Sequence, residues 1–141
     1  MAILNYTTKV DPVKTINEIT NCLVKHGAKK IMADYDDNGT PIAITFMINI
    51  TDEAIFYSLP ANFRGVLKAM EKDKTVPPRL RNELQAKRVA WRIVKDWIEA
   101  QMAIVEANIA DMAEVFLPYA VTKSGNTLYN EIKSNPKLLQ L

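Results

Sequence analysis

The sequence predicts an α+β fold: an N-terminal helix, an antiparallel sheet of three to four strands, a short second helix and one very long C-terminal helix. Three observations carry this. Ile42, Ile44, Phe46, Ile48 and Ile50 alternate with Ala43, Thr45, Met47 and Asn49, the period of two of a strand with one buried face. Asp11 and Pro12 precede Val13, Ile16, Ile19 and Leu23 at helical spacing. From Asn82 to Leu117 neither Gly nor Pro occurs, and helix formers dominate until Pro118.

Taken in order, Ile3 to Lys9 is β-branched and aromatic and suits a strand. Asp11 can cap free amides and Pro12 fits a first helical position, so a helix runs from Pro12 to His26 and stops at Gly27. Strand-like runs follow at Lys30–Tyr35, Pro41–Ile50 and Glu53–Leu59. Asp36-Asp37-Asn38-Gly39 and Thr51-Asp52 are short turn-formers, so the three runs pair as an antiparallel meander. Asn62 opens a helix to Lys72 with Phe63, Val66, Leu67 and Met70 inward, and Pro77-Pro78 breaks the chain before the long helix. Residues 1–76 and 77–141 form two regions of one folding unit. In the tail, Ser124-Gly125-Asn126 is a turn and Leu128, Tyr129, Ile132, Leu138, Leu139 and Leu141 are expected to pack.

The long helix carries a line of apolar residues seven apart, Leu84, Trp91, Ile98, Val105 and Met112, widened by Phe116 and others. Over about 35 residues it reaches roughly 50 Å, against ~35–40 Å for a compact globule of this length. Overhang and a broad apolar stripe favour a partner helix from a second copy, with the stripe as the oligomer interface and a homodimer as the simplest assembly. The alternative is a kinked helix folded onto its own sheet, because Lys87, Gln101 and Asn108 interrupt the second heptad line.

The net charge of +2 hides an asymmetry. Between Arg64 and Lys95 ten basic residues stand against three acids, while Asp96 to Phe116 holds five acids and no basic residue. Arg64, Lys68, Arg81, Lys87, Arg88, Arg92 and Lys95 are the candidate site for an anionic partner: phosphates or an acidic protein surface. The competing reading is a solvated face answering the acidic half of a partner helix.

Catalytic patterns are missing. His26 is the one histidine and Cys22 the one cysteine, so no disulfide within the chain and no transition-metal cluster is expected. The two stand four apart on one helix without the supporting elements of a nucleophilic site. Asp34 to Gly39 matches the first half of a calcium loop, but Thr45 occupies the position that needs a bidentate Glu, so a hairpin turn is expected. No cofactor is implied. The start lacks a leader pattern and no apolar run approaches the ~18–20 residues of a membrane span, which points to the cytoplasm and away from a membrane partner.

Ser58-Leu59-Pro60-Ala61-Asn62, Ala86 to Ala107 and Glu114 to Tyr119 resemble segments of a family of small uncharacterised proteins from bacteriophages and prophages. That resemblance implies a phage product acting in the host cytoplasm on nucleic acid or on a host defence system, and assigns no catalytic residue. The first expectation is a non-enzymatic counter-defence inhibitor, such as an anti-CRISPR, docked on a host nucleic-acid-handling effector. The second is an accessory nucleic-acid-binding protein of phage replication or recombination. The helix, three-strand, helix order at 12–72 resembles double-stranded-RNA-binding and strand-annealing cores, without the basic motif of the former. A third is a sponge for a nucleotide signal.

Overall fold

A computed structural model describes residues 2–140; Leu141, expected to pack with the tail, lies outside them. The elements are α1 (Pro12–Lys25), β1 (Lys30–Tyr35), β2 (Pro41–Ile50), β3 (Glu53–Pro60), α2 (Phe63–Lys72), α3 (Glu83–Glu106), α4 (Met112–Val115) and α5 (Leu128–Ser134), with single 3₁₀ turns between several of them. The sheet is a β1-β2-β3 antiparallel meander. Its two hairpins turn where the sequence places them. Asp36 Oδ1 accepts from the amides of Asn38 and Thr40 and so closes the first turn. The second is a two-residue turn with Thr51 and Asp52 both at positive φ.

Alternation along β2 fixes which face is inward. Ile44, Phe46 and Ile48 meet Tyr57 and Leu59 of β3 and bury against α1, α3 and α4. Phe46 stacks on Tyr57 at 5.3 Å and takes the edge of Phe116 at 5.5 Å, and Trp97 continues the aromatic chain to Phe116 and Tyr119. Two hydrogen bonds set the helix layer on the sheet. Trp91 Nε1 donates to the Pro41 carbonyl at 3.2 Å, and the Tyr57 hydroxyl donates to the Ala113 carbonyl at 3.3 Å.

The expected helix of about 35 residues is a helix of 24. At 1.5 Å per residue it spans ~36 Å, the width of the domain, and so does not overhang it. Asn108, at φ 58°, ends it: the Asn108 amide donates to Val105 and the Ile109 amide to Ile104, closing the last turn in a Schellman arrangement. Three residues later, at Asp111, a capping box with Glu114 starts α4 in a new direction.

The breadth of the apolar stripe has an answer within the chain. Trp91, Val94, Ile98 and Met102 pack on the sheet, while Ala86, Val89 and Ala90 pack with Phe63 and Met70 of α2 and with Val76 in a second core. The helix serves two intrachain partners, so its stripe needs no second copy to cover it.

The expected strand Ile3–Lys9 does not form, and the sheet has three strands. Asn5 takes φ 67° and turns the chain, and buried Gln85 donates through Nε2 to the carbonyls of Tyr6 and Thr8. The segment is thereby bound to α3, with Ala2, Ile3 and Tyr6 against the second core. At α1, Pro12 holds the first turn, but the Asp11 side chain makes no capping bond. On the far side of the sheet Ala120 bridges Tyr57, and the Val121 amide donates to Phe56. In the tail Leu128 and Ile132 are half-buried, whereas Leu138 and Leu139 are exposed.

Candidate anionic-partner surface

The seven basic residues singled out from the sequence do not form one patch. Arg81 is structural: its Nε donates to the Val76 carbonyl and its Nη2 to that of Asp73, holding the loop before α3. Arg88 lies in the α1–α3 groove with Nη1 on Gln85 Oε1 at 3.3 Å and Nε 3.6 Å from Asp11 Oδ1. That Nε is buried without a hydrogen-bond partner. Arg92 donates to Glu18 Oε2 at 2.9 Å and to the Thr15 hydroxyl at 3.3 Å. Lys95 shares Glu18 at 3.6 Å and also binds Glu99. The acids that answer this part of α3 are on α1 of the same chain, together with Glu99 one turn on, and not on a partner helix.

Lys87 is intermediate. It pairs with Glu83 at 3.4 Å, and its ammonium stands 5.2 Å from the centre of the Phe63 ring. The Arg64 guanidinium stands 5.0 Å from the same ring. Phe63 therefore brings the start of α2 beside α3 and sets Arg64 and Lys87 near each other.

What stays open is the outer face of α2. Arg64, Lys68 and Lys72 recur every four residues, all are exposed, and none forms an ion pair among the described residues. Glu71 lies within the same stripe by helical spacing, so its charge is three cations and one carboxylate. Asn62 fixes the start of the helix by accepting from the Gly65 amide at 3.1 Å. Lys72, one of the ten basic residues of the segment, stood outside the seven-residue candidate site. Its four-residue spacing from Lys68 was the available signal.

The proposed interface residues are placed elsewhere. Trp91, Ile98, Met112 and Phe116 are buried in the chain's own core, Val105 packs partly against it, and only Leu84 is exposed. Trp91 and Phe116 are each no more than 1% exposed. They cannot face a second copy in this fold.

Cys22 and His26 do not form a thiol–imidazole pair. His26 Nδ1 lies 2.8 Å from the Cys22 carbonyl, and Nε2 lies 2.7 Å from Glu106 Oε1. Burial, and then the Glu99 carboxylate, push the Cys22 thiol up, which opposes nucleophilic use. Asp36 spends an oxygen on its own hairpin, as a turn requires. No helix among the described residues is long and apolar enough to cross a membrane.

No family model, curated protein or solved structure matches the chain.

Proposed function

We propose that the protein acts by binding a macromolecular partner through the outer face of α2, as a phage-type counter-defence inhibitor docked on an acidic surface of a host nucleic-acid-handling effector. One observation carries the choice of surface. After Arg81, Arg88, Arg92 and Lys95 are engaged within the chain, Arg64, Lys68 and Lys72 remain as a cationic stripe without ion-pair partners among the described residues. Three phosphate contacts give a salt slope of only about −2.7 and little non-specific affinity. Such a stripe gains more from a shaped acidic protein surface, where steering and register matter more than total charge.

The experiment is affinity capture from host lysate at two salt concentrations, comparing the wild type with R64E/K68E/K72E. A nuclease or helicase assembly retained by the wild type, released by salt and not retained by the triple variant is the expected result. Equal capture by both proteins overturns the reading. Direct contact with nucleic acid uses the same stripe and is the second reading. It requires an electrophoretic shift by the wild type that weakens about fortyfold between 50 and 200 mM salt for three contacts.

A further inference from the structure

β1 has β2 on one side and no hydrogen-bonded neighbour on its other side among the described residues. The opposite margin differs, since β3 is lined by Ala120 and Val121 of the same chain. Among the described residues, one edge of the sheet is covered and the other is bare. A bare edge presents amides and carbonyls that water or another strand must satisfy.

The side chains along this edge select the strand. Lys30, Met32 and Asp34 stand opposite Met47, Thr45 and Ala43, on the sheet face turned away from the helices. Asp34 is held there by the Thr45 hydroxyl, which donates to its Oδ2 at 2.7 Å. Lys30 is exposed and Met32 is 54% exposed. An antiparallel strand of identical sequence centred on Met32 sets Lys30 against Asp34, Ile31 against Ala33 and Met32 against its own copy. Opposite charges then close both ends around an apolar middle. Beside that middle, Thr45 and Phe56 line an apolar hollow with Met32.

Neighbouring registers lose this match. Centring on Ala33 sets Met32 against Asp34 and runs into the irregularity between Asp34 and Tyr35. Centring on Ile31 leaves Lys30 opposite Met32, with Asp34 beyond the start of the partner strand.

We propose that two copies of this chain join edge to edge through β1, antiparallel about Met32, with Lys30 of each copy facing Asp34 of the other. The two three-stranded sheets become one continuous sheet of six strands. The surface is separate from the α2 stripe, so the proposal does not rest on the functional reading above.

Sedimentation equilibrium of the full chain across the micromolar range tests it, with a species of twice 15.9 kDa expected for the wild type. K30D and D34K each place like charges across both ends and should weaken self-association roughly tenfold or more. Mixing equal amounts of K30D and D34K again sets opposite charges across both pairs and should restore the heavier species. K30D alters an exposed side chain, so K30D alone carries the test if D34K does not fold. A wild type that is monomeric throughout the range, or a dimer indifferent to K30D, overturns the proposal.

Discussion

Arg92 Nη1 lies 2.9 Å from Glu18 Oε2, joining α3 to α1 across 74 residues of sequence. Lys95 approaches the same carboxylate, so one acid on α1 holds two of the cations that the sequence offers to a partner. The hydrogen bond from Arg92 is the largest cause holding the Glu18 carboxyl below its ordinary 4.5. Desolvation opposes it, and the charges of Arg92, Lys95 and Lys14 add to it.

The sign of the resulting pH dependence follows from that direction. A lowered carboxyl pKa contributes stability above the unfolded value, and the contribution is lost as pH falls through the folded one. E18Q should therefore be less stable than the wild type at neutral pH, and its urea midpoint should fall less steeply below pH 4.5. Parallel midpoint curves for the two proteins would show that the bridge does not contribute.

Burial of Ile98 separates core from interface. It sits in the main core with Trp91 and Phe46, so Ile98→Ala should cost ~2–5 kcal/mol of unfolding free energy, measured by urea at low protein concentration. A residue that only lined an interface would change the association constant and leave the dissociated chain as stable as before. A loss under about 1 kcal/mol in that measurement contradicts the core placement.

The end of α3 rests on two residues close together. Asn108 occupies a left-handed conformation, and Asp111 accepts from the Glu114 amide at 2.9 Å. A β-branched residue in that conformation is strained by ~1–2 kcal/mol, whereas glycine is not. Asn108→Val should destabilise by about that amount, Asn108→Gly should be neutral or stabilising, and Asp111→Ala should lose ~1 kcal/mol through the cap. Equal unfolding free energies for the Val and Gly variants would remove Asn108 as the helix terminator.

These positions also explain what could be read from the sequence. The β2 alternation and the turn residues at 36–39 and 51–52 are local patterns, and the meander follows from them. Asn108 is a weak terminator compared with Gly or Pro, and the Asp111–Glu114 box lies inside an apolar-periodic run, so periodicity continues where the backbone does not. Ile3–Lys9 has strand composition, but Gln85, more than 70 residues away, takes its carbonyls. The basic segment misleads for the same reason. Asp11 and Glu18, which answer Arg88 and Arg92, are distant in sequence and are missed by counting charge along it.

The β2–β3 turn carries strain that substitution can relieve. Thr51 sits at φ 45° and Asp52 at φ 68°, a conformation that Asn-Gly adopts readily and a β-branched residue does not. The register from Ile50 opposite Glu53 up to Ala43 opposite Pro60 depends on this two-residue connection. T51N/D52G should therefore keep the fold and gain about 1 kcal/mol, raising the melting temperature by roughly 3–5 °C. The Thr51 hydroxyl donates to the Ile50 carbonyl at 2.8 Å, and losing that bond sets a limit on the gain. A melting temperature at or below that of the wild type would mean that the hydroxyl contact outweighs the backbone strain.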